Sequence, residues 1–185
     1  MEYFKTEKEI ISEISKTMDS VSEEEVITLA NQIKQAKRVF FVGVGRVLLS
    51  LEAIAKRLAH LGIDTVIVGE ITEPAITSED LLIVGSGSGE SLFPLSIAKK
   101  AKSFHATVAH IGSNPNSSMK EVTDIFVRIP VQSKLNLAEE VQSIQPMTSL
   151  FEQSLLLLGD TIALMFIMED DIDMAELWQY HANLE

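Results

Sequence analysis

Gly85-Ser86-Gly87-Ser88-Gly89-Glu90-Ser91 is the stretch with the clearest chemical content. Its glycines let a backbone curl so that several N–H groups point inward. The hydroxyls of Ser86, Ser88 and Ser91 can donate to the oxygens of an anion. An apolar run at 81–84 precedes the stretch, and a helical pattern at 91–103 follows it. The arrangement predicts a strand-to-helix turn, where the helix N-terminus adds partial positive charge. Helix capping would use one serine; three serines among three glycines point to phosphate. No lysine lies in the stretch, which excludes a nucleotide-triphosphate P-loop. The dinucleotide fingerprint is also missing. Gly43-Val44-Gly45 follows an earlier apolar run, but Leu48 stands where the third glycine belongs.

Acid–base groups lie elsewhere. Glu152 sits in the first turn of an apolar helical pattern, among Leu150, Phe151, Leu155 and Leu156. Ser149 and Glu152 also have the spacing of a capping box, and spacing alone favours the cap. His60, at the end of a helical pattern, and His181, near the end of the chain, are the two histidines that could protonate a carbonyl oxygen. A lone histidine on a helix or tail is more often structural or solvated. His105 and His110 flank a strand and read as structural. Neither His-x-x-x-His nor Glu-x-x-His occurs, so no metal is expected. Arg46 follows the first strand, where it could pair with a phosphate, orient a hydroxyl, or serve as an ordinary surface cation. Glu90 would repel a phosphate if it pointed inward, so a helix cap or a contact with a neutral hydroxyl is expected of it.

These groups need a scaffold. Residues 2–36 read as two helices, the first with Phe4, Ile10, Ile11, Ile14 and Met18 on its apolar face. The second opens on Ser22 and Glu25, a capping box. Strands are expected at 38–44, 65–68, 81–84, 106–111 and 125–129, with helices at 47–61, 91–103 and 117–121 between them. Short strands, apolar on both sides and separated by helices, predict an α/β fold: three layers around a five-stranded parallel sheet. Residues 131–147 are polar without periodicity and read as a long loop, a kind of segment that often carries function. A helix at 149–168 and a short one at 174–180 complete the pattern.

The 185 residues suggest one domain with an ample core. The absence of cysteine rules out disulfides and thiolate metal sites and fits a reducing compartment. The start shows no signal-peptide pattern, so a cytoplasmic location is expected. The apolar stretch at 155–168, interrupted by Asp160 and Thr161, reads as too short for a membrane span. A net charge of −12 makes nucleic acid and anionic membrane unfavourable partners. An anionic substrate must be held by local groups instead.

The chain resembles the sugar isomerase (SIS) domain family. The likeness rests on the serine stretch 85–91, on Gly43-Val44-Gly45-Arg46, Arg57-Leu58-Ala59-His60-Leu61-Gly62 and Ser113-Asn114-Pro115, and on Gln145-Pro146-Met147 with Ser149-Leu150-Phe151-Glu152-Gln153. The ending His181-Ala182-Asn183-Leu184-Glu185 adds to it. The last two features point to the branch of hexulose-phosphate isomerases. After Gly-x-Gly-Arg that family usually continues Ser-Gly, whereas this chain has Val47-Leu48. The resemblance implies cofactor-free interconversion of a 3-hexulose 6-phosphate and fructose 6-phosphate, through an enediol, within the ribulose monophosphate pathway. It makes Glu152 the base, leaves His60 or His181 as the acid, and assigns Gly45, Arg46, Ser86, Gly87, Ser88, Gly89, Glu90 and Ser91 to the substrate and its phosphate. It also implies a homo-oligomer, a tetramer, with sites near subunit interfaces. Two alternatives stay open: another sugar-phosphate isomerase of the family, acting on an aldose or amino-sugar phosphate, or a non-catalytic sugar-phosphate-binding module.

Overall fold

A computed structural model describes residues 2–132, 137 and 139–184. Five strands form one sheet: β1 (Val39–Val42), β2 (Thr65–Ile67), β3 (Leu81–Gly85), β4 (Thr107–Gly112) and β5 (Ile125–Arg128). Their spatial order is β2-β1-β3-β4-β5 and every pairing is parallel. The expected sheet is therefore present, with strand ends displaced by a residue or two.

The period-2 geometry of the strands sorts their side chains into two cores. Val39, Phe41, Leu81, Ile83, Ala109, Ile111 and Val127 face one side. They meet α2 (Glu23–Gln35), α3 (Gly45–Ala59) and α5 (Ser149–Glu169) there. Phe40, Val42, Leu82, Val84 and Val108 face the other side and meet α4 (Leu92–Ser103) and Met119 of a 3-10 helix, Ser118–Val122. Both faces are covered, which is why the strands carry no polar alternation.

Helix α5 is 21 residues long and matches the expected helix at 149–168 to within one residue. By length and composition it could cross a bilayer. In the fold it is a core helix: Leu150, Phe151, Leu155, Leu158, Ile162, Ala163 and Phe166 are buried. It crosses α3 at Gly159, where a Cβ would lie 2.2 Å from Ile54 Cγ1.

Helix α1 (Tyr3–Met18) keeps part of its expected apolar face, with Ile14 and Met18 packed against the core. Phe4 and Ile11 are exposed, whereas the buried positions are Glu13 and Thr17. At α2, Ser22 Oγ accepts from the Glu25 N–H, half of the expected box. The Glu25 carboxylate leaves the helix end and accepts from Arg128 N–H at 2.8 Å, tying α2 to β5.

The described ends of the loop 131–147 pair with each other. Val131 and Val141 form a parallel bridge. Gln132 N–H donates to the Val141 carbonyl, and Val141 N–H to the Pro130 carbonyl. Residues 133–136 and 138 of that loop, and Glu185 of the tail, lie outside the described residues.

Candidate functional site

Chain order reverses between β1 and β3. The chain runs outward from β1 to β2 on one side and resumes at β3 on the other. Ligands of open α/β sheets bind beyond the C-terminal ends of the strands at such a reversal. Two loops diverge there: Gly43 to Arg46 after β1, and the serine stretch after β3. Between them and the start of α5 lies a cavity of about 570 Å³. Gly45, Arg46, Ser86, Gly87, Ser88, Glu90, Ser91, Thr148 and Glu152 line it. Gly89 lies in the same loop, facing inward against Ser117 and His110.

The serine loop is held from behind. His110 Nε2–H donates to the Ser86 carbonyl at 2.9 Å. The N–H groups of Ser113 and Asn114 donate to the Gly87 carbonyl. The Asn114 side-chain amide donates to the Ser88 carbonyl at 3.3 Å. With these carbonyls tied back, the N–H groups of Gly87, Ser88 and Ser91 have no acceptor among the described residues. That is the arrangement an anion-binding nest requires. Gly89 adopts a φ of +68°, and a Cβ there would lie 2.1 Å from Ser117 Oγ. Only glycine gives this turn both its left-handed backbone and its close approach.

The three hydroxyls are not equivalent. Ser86 Oγ is buried, accepts from Gly89 N–H at 3.1 Å and donates to Ser91 Oγ at 3.4 Å, so it shapes the loop. Ser88 Oγ accepts from Glu90 N–H at 3.2 Å and keeps its own proton for a ligand. Ser91 Oγ accepts from Ser86 and likewise keeps its proton. Glu90 neither caps α4 nor faces inward as a free charge. Its Oε1 accepts from Ser118 N–H at 2.7 Å, and this bond holds the carboxyl below its ordinary pKa.

Glu152 is 7% exposed, and both carboxylate oxygens are engaged. Oε1 accepts from Thr148 Oγ1 at 2.8 Å, and Oε2 accepts from Arg46 Nε. Ser50 Oγ donates to the Glu152 carbonyl at 3.0 Å, fixing the first turn of α5 to α3. The Ser149–Glu152 capping box is absent: α5 begins at Ser149 with Thr148 as its N-cap, and Glu152 bonds Thr148, not the cap backbone. Arg46 is the one cation lining the cavity among the described residues, and its side chain is 65% exposed, so its outer nitrogens are open to a ligand. Val47, where the family's serine would stand, lines the same wall. Its Cγ1 lies 2.8 Å from where a Cβ on Gly85 would be, so it packs against the start of the loop and offers no hydrogen bond.

The two candidate acids do not join this site within one chain. His60 is the C-cap of α3, whose 15 residues put it about 22 Å from Gly45. His181 stacks on His60 with ring centroids 5.3 Å apart. Both line a second cavity of about 530 Å³, between α3, α5 and the tail. The sequence pattern put His60 on the right helix but at its far end. Thr148 lines the cavity and bonds Glu152, and the sequence does not signal it. Thr148 has no motif of its own. His110 is structural, as its sequence position suggests: it is buried in β4 and holds the Ser86 carbonyl from beneath the serine loop, a placement set by the pairing of β3 with β4. Among the described residues, no three His, Asp or Glu side chains converge to hold a metal ion.

Residues 32–157 match the family model of the SIS domain. A Bacillus subtilis protein named 3-hexulose-6-phosphate isomerase is 40% identical over 177 residues, 96% of each chain. A Mycobacterium gastri protein of the same name is 38% identical over 173 residues, 94% of this chain and 86% of its own. The solved structure of a Methanococcus jannaschii protein, from which a function of 3-hexulose-6-phosphate isomerase was inferred, matches with a TM-score of 0.84. It is 27% identical and covers 98% of this chain and 99% of that one. With its sheet order, its serine loop and these relatives in agreement, this chain belongs to the SIS domain family.

Proposed function

We propose that the protein isomerises 3-hexulose 6-phosphate and fructose 6-phosphate, moving a carbonyl between C3 and C2. The observation that carries this reading is the buried Glu152 carboxylate standing across one cavity from the serine loop. The relatives' shared name supports the choice of substrate. The phosphate would take the free N–H groups of Gly87, Ser88 and Ser91 and the hydroxyls of Ser88 and Ser91. The sugar would then extend towards Glu152. Glu152 removes the C2 proton, an enediolate forms, and a proton returns at C3. Arg46, already on one carboxylate oxygen, is placed to offer its outer N–H groups to the enediolate oxygen. No electrons leave the substrate in this reaction, so it needs no redox cofactor.

A histidine acid, His60 or His181, requires a second copy of the chain, because one copy keeps both rings at the far end of α3. A homo-oligomer, with a tetramer as its form, meets that requirement and belongs to the same proposal, as does a cytoplasmic location.

The test is a coupled assay over a panel of hexulose, aldose and amino-sugar phosphates, run on the wild type and on Glu152→Gln. Glutamine can still accept from Arg46 and meet Thr148, so the fold should survive. Turnover on the hexulose phosphate should fall about 10²–10⁴-fold, the usual contribution of a general base. A folded Glu152→Gln that isomerises at the wild-type rate would remove Glu152 from the mechanism. Turnover only of an aldose phosphate would reassign the substrate.

A further inference from the structure

Helix α1 buries a carboxylate beside Ile14 and Met18, the apolar residues that pack it against the core. Glu13 is 8% exposed, and a charge is costly there unless it is fully bonded. Glu13 is bonded three times. Oε1 accepts from Ile144 N–H at 2.8 Å, and Oε2 accepts from Ser143 Oγ at 2.7 Å and from the Gln145 amide at 3.0 Å. Burial pushes the carboxyl pKa up, but these bonds outweigh it and hold the group below its ordinary value.

All three partners lie in one short segment, 143–145, that leads into α5. Pro146 follows, and then Met147, a non-glycine residue at φ +55° with its side chain in solvent. A left-handed residue of this kind persists when its surroundings over-determine it. The next residue is Thr148, whose hydroxyl holds Glu152 Oε1. A helix with no residue in the cavity thus sets the path of the backbone that delivers Thr148. An apolar contact would stabilise α1 as well, but it could not specify three directions at once.

We infer that Glu13 is a positioning residue for the isomerisation, fixing segment 143–145 so that Thr148 holds the Glu152 carboxylate in its reactive orientation. This rests on the reading of Glu152 as the base. The test compares Glu13→Gln, Thr148→Ala and the double variant, with Glu152→Gln run alongside. Glu13→Gln keeps the side chain's shape but sets an amide against donors. Its kcat should fall about 10–100-fold, the scale of a small misplacement of a reacting group. Its affinity for fructose 6-phosphate by calorimetry should stay within about twofold, because the serine loop is anchored independently by β4 and the loop after it. In the Thr148→Ala background the same substitution should have little further effect on kcat. Wild-type turnover in a folded Glu13→Gln overturns the inference, and so does an equal fold-loss in both backgrounds. If Glu13→Gln does not fold, Ser143→Ala removes one of the three bonds, and wild-type turnover there overturns it equally. Failure of the underlying reading shows separately, as wild-type turnover in Glu152→Gln.

Discussion

Protonation of His110 should weaken the fold from beneath the serine loop. The ring is 1% exposed in β4, tilted against Phe126 at 5.1 Å, and occupies space that a Cβ on Gly112 would fill. A carbonyl partner requires the tautomer with its proton on Nε2. Burial lowers the pKa of this imidazole, and the bond to Ser86 only partly opposes that. The unfolded chain therefore takes a proton at His110 below about pH 6.5, while the folded ring stays neutral to lower pH. In that window unfolding binds one extra proton. Stability is complete above about pH 6.5 and declines as pH falls, by at most about 1.4 kcal/mol per pH unit, until the folded ring itself protonates. His110→Phe keeps an aromatic ring of similar size and removes the titration. It leaves the Ser86 carbonyl with the Gly89 N–H alone, at 3.2 Å, which should cost about 1–3 kcal/mol at pH 8. Urea unfolding of both proteins between pH 8 and 5.5 checks this: the gap at pH 8 should narrow towards pH 5.5. Parallel pH profiles for the two proteins would refute the buried neutral histidine. A variant as stable as the wild type at pH 8 would refute the value placed on the Ser86 bond.

Ser88→Ala removes a hydroxyl with a free proton, so sugar-phosphate affinity by calorimetry should fall by roughly 1.5–3 kcal/mol, whereas affinity for the unphosphorylated sugar should not change. Asp80 is buried, and its carboxyl is held below its ordinary pKa because the bonds from Arg38 and Thr77 outweigh the upward push of burial. Asp80→Asn should therefore lower the urea midpoint by an amount worth about 3–5 kcal/mol. Gly159→Ala should destabilise the α3–α5 crossing, with Ile54→Ala in the same chain restoring part of the melting temperature, because the new methyl meets Ile54 and not backbone. Exhaustive chelation and desalting should leave turnover unchanged, measured by the same coupled assay.

Much of this architecture is legible in the chain itself, because its signals are local. Glycines and serines at 85–91 specify a turn wherever they fall, and apolar β-branched runs separated by helical patterns call for a covered parallel sheet. The family motifs likewise single out Glu152 and Arg46. What the sequence could not decide is set by distances between residues far apart in it. Glu13 and Gln145 meet across 132 positions, so a carboxylate is buried and fully bonded beside Ile14 and Met18, which periodicity alone does not signal. Arg46 closes on Glu152 across 106 positions, turning two isolated candidates into one ion pair. Ser149 and Glu152 have the spacing of a cap, yet the carboxylate turns to Thr148 and Arg46 because charge-assisted bonds in a sheltered cleft outcompete a backbone N–H at a helix end. His60 and Arg46 share one helix, and only the straight run of α3 shows that a single chain keeps them at opposite ends. Sequence sets which residues are available and which local turns they favour. The tertiary fold decides which side chains meet, because that depends on how the sheet order and helix crossings bring distant segments together.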